Sequence, residues 1–105
     1  MVHITKENFK AEVLNATQPV VIDVYATWCG PCQMMSPVYE GLAKELAGSY
    51  TLFKLNIDEA RELAVEYDVS SVPTFLFFKN GKVVGRETGY MSGDILRNKI
   101  EDIFS

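Results

Sequence analysis

Hydrophobic and polar residues alternate along this chain with the periods of strands and helices. Positions 20–26 are apolar on both alternating faces apart from one aspartate, Asp23. A strand of this kind is typical of the middle of a sheet that is covered on both sides. Shorter runs at 51–57, 74–78 and 83–88 predict three more strands, and residues 2–4 predict a short further one. The pattern therefore predicts a central sheet of about five strands.

Four other segments have the spacing of amphipathic helices. The first runs from an N-cap at Thr5 to about residue 15, and the second follows residue 32, contains Pro37 as a kink and stops near Gly48. Asp58 and Ser92 are the predicted N-caps of the third and fourth helices. The apolar positions that give this spacing are Phe9, Val13, Met35, Val38, Leu42, Leu46, Leu63, Ala64, Tyr67, Ile95, Leu96, Ile100, Ile103 and Phe104.

The predicted order of elements is β-α-β-α-β-α-β-β-α. Crossover helices require some parallel strand pairs, whereas Asn80-Gly81 is a strong signal for a tight antiparallel hairpin. The chain is therefore predicted to be an α/β protein with a mixed parallel and antiparallel sheet flanked by four helices. Because no linker, repeat or low-complexity tract interrupts the pattern, we expect one domain over residues 1–105. Its core is expected to include Met34, Met35, Phe75, Phe77 and Phe78.

Composition narrows the classes of partner. With 105 residues, 48% of them hydrophobic, the chain can bury roughly two-thirds of its unfolded surface without disulfide staples. Its net charge of −4 and scattered basic residues argue against nucleic acid and against an anionic membrane surface. No apolar stretch has the length of a signal peptide or a membrane span. We therefore expect a monomer in the cytoplasm.

Two cysteines, Cys29 and Cys32, stand where the buried strand gives way to a helix. A structural disulfide is one reading, but closing a loop of about four residues stabilises by only roughly 2 kcal/mol. Zinc needs about four ligands, and the only histidine, His3, lies far away in the chain. A cysteine protease would need that same histidine as its base, from a terminus expected to fray.

Reversible dithiol chemistry fits the spacing best. One thiolate attacks a target disulfide, and a second thiol held nearby resolves the mixed disulfide. Cys29, just ahead of the helix, lies near unpaired N–H groups and the positive end of the helix dipole, so we expect it to be the nucleophile. Cys32, less exposed, would be the resolving thiol. Pro31 suits the first helical turn, and Gly30 allows a substrate backbone to approach.

The segment Trp28-Cys29-Gly30-Pro31-Cys32, opening a helix after an apolar strand, resembles the thioredoxin family. The resemblance covers essentially the whole chain. A bare C-x-x-C is a weak signal, but here it is accompanied by a set of further matching positions. These are Asp23, Pro37, Lys54, Val72-Pro73-Thr74, Asn80-Gly81 and Gly89.

The resemblance implies functional roles for Asp23, Lys54 and Val72-Pro73, although each can also be explained without a function. Asp23 would be the buried acid that helps deprotonate Cys32, although a strand-end aspartate could simply reach solvent. Lys54 would lie near Asp23 and temper its pKa, although a solvated lysine is equally natural there. The Val72-Pro73 bond would be cis and would present the Val72 backbone beside Cys29, whereas most X–Pro bonds are trans.

The same resemblance implies a shallow apolar docking surface around the cysteines. For Trp28, ordinary packing is the alternative, but a tryptophan next to a reactive cysteine is hard to bury completely. The surface would be formed by Trp28, Gly30, Pro31, Val72, Gly89 and Tyr90.

By resemblance, the activity is that of a thiol-disulfide oxidoreductase, a general protein-disulfide reductase. Its partners would be disulfide-containing client proteins and a thioredoxin reductase that restores the dithiol. No bound cofactor or metal is implied, because the cysteines carry the electrons. Two alternatives stay open: an oxidase or isomerase of the same fold, and a binding subunit that uses the same surface. The Gly-Pro dipeptide argues against the first, since oxidising relatives generally have a His between the cysteines.

Three positions depart from the usual family pattern: Val24 and Tyr25 replace common Phe and Trp, and Gln33 replaces a common Lys. A cation beside Cys29 stabilises its thiolate, so Gln33→Lys is expected to lower the pKa of the Cys29 thiol. Titration of thiolate absorbance in the wild type and the variant measures this. An unchanged or raised pKa in Gln33→Lys would contradict the prediction.

Overall fold

The computed structural model describes all residues, 1–105, and contains a four-stranded sheet in the order β2-β1-β3-β4. The strands are β1 (Val20–Tyr25), β2 (Thr51–Asn56), β3 (Thr74–Lys79) and β4 (Lys82–Thr88). The helices are a π-helical segment (Lys10–Leu14), α1 (Gly30–Glu45), α2 (Arg61–Glu66) and α3 (Gly93–Phe104). The α/β class and the four helical segments are thus as predicted.

The sheet is mixed, as predicted. β1 is parallel to β2, and in their register Asp23 lies opposite Lys54. β1 is antiparallel to β3, and β3 is antiparallel to β4. The turn between β3 and β4 places Asn80 and Gly81 at positive φ, 53° and 79°, which is the geometry of the predicted hairpin. β1 therefore has a hydrogen-bonded strand on each side.

The prediction of about five strands is wrong by one. Residues 2–4 form only an isolated bridge between His3 and Lys54, in which Ile4 N–H donates to the Lys54 carbonyl at 2.7 Å. Val2 is 47% exposed. The pairing with β2 is confined to this one bridge, so the segment stops short of a strand.

Two predicted N-caps are also wrong. The backbone N–H of Thr5 donates to the Asn8 side chain at 2.8 Å, and the regular helical segment begins only at Lys10. Asp58 lies within a turn in which its N–H donates to the Asn56 side chain, and α2 begins three residues later, at Arg61. The third prediction is confirmed, because the Ser92 hydroxyl accepts from the N–H of Ile95. In both wrong cases the predicted cap residue donates its own backbone N–H to an asparagine side chain, and its side chain accepts no bond from the N–H groups that follow it.

Two apolar cores cover the two faces of the sheet. One lies under the π-helical segment and α2, and the other lies under α1 and α3. Met35, Phe75, Phe77 and Phe78 are buried as predicted, but Met34 is 62% exposed. Met34 and Met35 are consecutive on α1, so when one faces the sheet the other turns away by about 100°. The prediction of Met34 as a core residue is therefore wrong.

The Tyr39 side chain ties α1 to both parallel strands. It is fully buried, and its hydroxyl lies within hydrogen-bonding distance of the carbonyls of Val21 in β1 (3.1 Å) and Phe53 in β2 (2.7 Å). No other side-chain hydroxyl reaches two strands in this way. The hydroxyl therefore fixes the height at which α1 packs on the sheet.

We expect Tyr39→Phe to lower the free energy of unfolding by about 1–2 kcal/mol, because the carbonyls lose a buried donor. Urea unfolding measures the loss. Tyr50→Phe is the matched control: its ring stacks on Phe104, its hydroxyl makes no hydrogen bond to the protein, and we expect a change within about 0.5 kcal/mol. Equal losses in the two variants would contradict this role of the Tyr39 hydroxyl.

Candidate active site

The two cysteines lie where β1 leads into α1. Cys29 is the N-cap residue of α1, and its Sγ accepts a hydrogen bond from the N–H of Cys32 at 3.2 Å. Pro31 occupies the first helical turn, where its missing N–H leaves no bond unmade. The Cys29 sulfur is therefore placed at the positive end of the helix, where N–H groups favour a thiolate over a thiol.

Cys29 and Cys32 are joined as a disulfide, with their Cα atoms 5.2 Å apart. The sequence predicted that Cys32 would be the less exposed of the two. Both are buried, at 6% for Cys29 and 4% for Cys32, so the difference in exposure is small. Their side chains pack with Ala26, and with the partly buried Ile57 and Val72. The pair thus lies in a small apolar cluster of its own at the end of β1.

Asp23 is buried in the middle of β1. Its side chain is 1% exposed, so it does not reach solvent, and its Oδ1 atom has no hydrogen-bond partner. Burial raises the pKa of the Asp23 carboxyl from an ordinary 3.8 to about 7, and the positive charge of Lys54 opposes part of that rise. A carboxyl in this state can accept and release a proton near neutral pH.

Lys54 is largely buried, at 8% exposed, so it is not a solvated lysine. It lies opposite Asp23 in the register of β1 and β2 but forms no ion pair with it. Its ammonium instead donates to the Ser36 hydroxyl at 2.8 Å and lies 3.6 Å from Glu40 Oε2. It also lies 4.6 Å from the centroid of the Tyr25 ring, within the range of a cation–π contact.

The Val72-Pro73 peptide bond is cis. The carbonyl oxygen of Val72 lies 3.7 Å from Cys29 Sγ, and neither backbone polar group of Val72 has a backbone partner. Gly89 N–H donates to the carbonyl of Pro73 at 2.9 Å, and Gly89 has a φ of +90°, which favours glycine. The segment before β3 and the end of β4 thus meet beside the cysteines.

Trp28 lies on the surface, 69% exposed, and its indole N–H donates to Asp58 at 2.9 Å. It forms one side of an open groove of about 470 Å³, whose lining also includes Ile57, Arg61, Val69 and Val72. A side chain added at Gly30 would meet nothing within 4 Å. Tyr90 is 47% exposed in the connection between β4 and α3. The groove between Trp28 and Val72 is therefore mostly apolar and open, but its lining does not include the other predicted rim residues Gly30, Pro31, Gly89 and Tyr90.

Three residues around these groups were missed by the sequence analysis. Two of them, Ser36 and Glu40, follow Cys32 at intervals of four on α1. Helical spacing alone could therefore have placed Ser36 and Glu40 on the same face of the helix as Cys32. Asp58, taken for a helix cap, instead fixes the indole of Trp28. No sequence signal links Asp58 to Trp28, because the contact joins residues 30 positions apart.

No group of three or more His, Cys, Asp or Glu side chains converges in a way that could hold a metal ion. None of the helices has both the length and the apolar character needed to span a lipid bilayer.

The pKa of Asp23 predicts a pH dependence of stability. Between about pH 4 and pH 7 the folded chain holds a proton on Asp23 that the unfolded chain releases, so the free energy of unfolding falls as pH rises through this window. For a carboxyl shifted this far, the full loss is on the order of 4 kcal/mol above the window.

Asp23→Asn removes this titration. We expect its stabilisation relative to wild type to be larger at about pH 8 than at about pH 5, by on the order of 2–3 kcal/mol. Urea unfolding of the oxidised proteins measures both values. Asp102→Asn, which removes an exposed carboxylate at the end of α3, serves as the control. A stabilisation that is independent of pH would contradict a raised Asp23 pKa.

Comparison with known proteins agrees with this geometry. The family model described as Thioredoxin matches residues 1–102. The chain is 40% identical to a thioredoxin of Chlorobaculum thiosulfatiphilum over 98 residues, covering 93% of this chain and 91% of the relative. It is 38% identical to a thioredoxin of Haemophilus influenzae over 100 residues (95% and 94%), and 40% identical to a chloroplastic M-type thioredoxin of Spinacia oleracea over 102 residues (97% and 56%). The chain therefore belongs to the thioredoxin family, with the fold of that family and the disulfide-forming cysteine pair of a thiol-disulfide oxidoreductase.

Proposed function

We propose that this protein is a general protein-disulfide reductase, built as one domain over residues 1–105, in which the Cys29–Cys32 dithiol reduces disulfides of client proteins. The observation that carries the proposal is the cysteine pair at the start of α1, with Cys29 as the N-cap beside an open apolar surface. A disulfide reductase needs a compartment that keeps its dithiol reduced, so the cytoplasm is the proposed location.

In the first step, the Cys29 thiolate attacks one sulfur of the client disulfide. A bond forms between Cys29 Sγ and that sulfur, the client S–S bond breaks, and the second client sulfur leaves as a thiolate that takes up a proton. The N-terminal end of α1 supports this step because it stabilises the Cys29 thiolate before the attack.

In the second step, the Cys32 thiol gives its proton to the Asp23 carboxylate and attacks Cys29 Sγ. The Cys29–Cys32 bond forms, the mixed disulfide breaks, and the client leaves with both of its sulfurs reduced. Two electrons pass from the dithiol to the client. Asp23 suits the role of base because burial raises its pKa to about 7, which permits proton uptake near neutral pH.

Clients are proposed to dock on the surface beside Cys29. The N–H and carbonyl of Val72, free of backbone partners, are suited to pair with an extended client segment as an added strand. The exposed ring of Trp28, with Gly30, Pro31, Gly89 and Tyr90, would form the apolar rim around that segment. This surface is also the basis of the two alternatives, a thioredoxin-fold oxidase or isomerase and a redox-independent binding subunit.

The oxidised protein would return to the dithiol by reaction with a thioredoxin reductase, which generally reduces members of this family. No bound cofactor is proposed for this chain, because the two cysteine sulfurs hold the electrons between reactions. The protein would act as a monomer, and Lys54 would modulate the proton affinity of Asp23.

Reduction of insulin disulfides with a trace of dithiothreitol tests the proposal. We expect wild type to accelerate insulin precipitation over dithiothreitol alone, Cys29→Ser to abolish the acceleration, and Cys32→Ser to accumulate a mixed disulfide with the client. The two variants are matched, since each removes one sulfur of the pair. Acceleration that survives Cys29→Ser, or a wild type that gives none, would overturn the reductase assignment.

A further inference from the structure

A polar cluster outside the cysteine pair holds the ammonium of Lys54. Ser36 and Glu40, one turn apart on α1, approach the lysine together: Lys54 Nζ donates to Ser36 Oγ at 2.8 Å and lies 3.6 Å from Glu40 Oε2. The Ser36 hydroxyl in turn donates to Glu40 Oε2 at 2.8 Å, which closes the cluster. This hydrogen bond and the nearby Lys54 keep the pKa of the Glu40 carboxyl below its usual value, so Glu40 is a carboxylate at neutral pH.

Lys54 has another acceptor within its own pair of strands. Asp23 lies directly opposite it in the parallel β1–β2 register, and neighbouring strands of a sheet lie about 5 Å apart. The Asp23 Oδ1 atom has no hydrogen-bond partner, yet no Lys54–Asp23 ion pair forms. A lysine side chain is flexible enough to reach either Asp23 or Glu40. Which of these two carboxyl groups the ammonium contacts therefore depends on its hydrogen bonds to α1.

We propose that Ser36 and Glu40 are positioning residues that hold the Lys54 ammonium against α1 and away from Asp23, and so keep Asp23 able to accept a proton from the resolving cysteine. The inference rests on the proposed function for its purpose, because only a reductase that resolves through Cys32 needs this proton acceptor. Neither residue is assigned contact with the reacting sulfurs.

Ser36 and Glu40 are expected to keep the pKa of Asp23 high through two physical effects. A hydrogen-bonded ammonium cannot move to Asp23, and the Glu40 carboxylate offsets the positive charge that Asp23 experiences. An opposite charge that approaches a carboxyl to within about 4–6 Å lowers its pKa by about 1–3 units. Loss of either Ser36 or Glu40 is therefore expected to make Asp23 more acidic, and a carboxylate of low pKa is a weaker base.

Other titratable groups face this region from each surrounding element. The hydroxyls of Tyr25 on β1 and Tyr39 on α1 stay protonated near neutral pH, since burial raises the pKa of both. On β3, the residue opposite Asp23 is Phe75, which carries no charge. The remaining groups are Cys32 on α1, the amino group of Met1, which acts on Glu40, and two groups near Tyr25: the side chain of Glu59 and the imidazole of His3, which contacts the Tyr25 hydroxyl.

Carbon-detected NMR of the Asp23 carboxyl in the oxidised protein tests the proposal directly. We expect Ser36→Ala and Glu40→Gln each to lower the titration midpoint of Asp23, by about 1 pH unit. Ser36→Thr, which keeps the hydroxyl, should retain the wild-type midpoint. Glu45→Gln is the matched control, because it removes the same charge from α1 at a position bonded to Arg97 on α3.

The same substitutions in a Lys54→Met background show how much of their effect on Asp23 passes through Lys54. With Lys54→Met, the additional change Ser36→Ala is expected to leave the midpoint of Asp23 unmoved, because no ammonium remains to be held. Glu40→Gln in that background reports only the direct effect of its own charge. A shift by Ser36→Ala that persists without Lys54 would overturn the proposal, as would an unchanged or raised midpoint in Ser36→Ala with Lys54 present.

The kinetics of the resolving step provide a readout that a purely structural role would not move. The acidic limb of the pH profile for release of the client from Cys29 should shift to lower pH in Ser36→Ala, with a slower rate above the midpoint. A uniform change in rate at every pH would contradict the proposal. The NMR midpoint needs no client, so this inference can fail while insulin reduction succeeds, and the reverse outcome is equally distinguishable.

Discussion

The structure depends on one strand, β1, that is buried on both faces. The strand has a hydrogen-bonded neighbour on each side and an apolar core above and below it, so its position leaves little freedom. The chain that leaves its end passes directly into the cysteine motif and the first turn of α1. The fixed position of β1 therefore also restricts the position of the cysteine pair, because Cys29 lies only four residues beyond Tyr25, the last residue of the strand. A site held on such an element needs no large conformational change to bring the two sulfurs together.

The same burial creates an electrostatic problem at Asp23. A carboxyl that is 1% exposed and has an unpaired oxygen is costly to ionise, and the fold accepts that cost within its most buried strand. The neighbouring strand supplies a cation, yet Lys54 is engaged by Ser36 and Glu40 on the helix. The carboxyl thus experiences a positive charge without a direct ion pair. A direct ion pair with Lys54 would stabilise the fold but would lower the proton affinity of the Asp23 carboxyl. The observed arrangement favours the proton affinity.

Much of the fold could be predicted from the pattern of residues. β1 was evident because a long apolar run with one carboxylate fits a central strand, and the β3–β4 turn was evident because Asn80-Gly81 takes positive φ with little strain. The errors lie at the ends of elements. The sequence predicts Thr5 and Asp58 as helix caps, but neither side chain accepts a bond from the N–H groups that follow it. The helices begin later, at Lys10 and Arg61, with no side-chain cap. The prediction of a fifth strand is wrong because residues 2–4 pair with β2 at one position only.

At the candidate site, the sequence by itself determined the reactive pair. Two cysteines separated by Gly-Pro before a helix restrict the chemistry locally, because their spacing and the helix start depend only on adjacent residues. Tertiary structure decided what surrounds them: which oxygen holds the Trp28 indole, which peptide bond faces Cys29, and which acid holds the Lys54 ammonium. These contacts join residues 14 to 43 positions apart along the chain. The packing of separate elements and loops brings such groups together, so the spacing of neighbouring residues alone does not reveal these contacts.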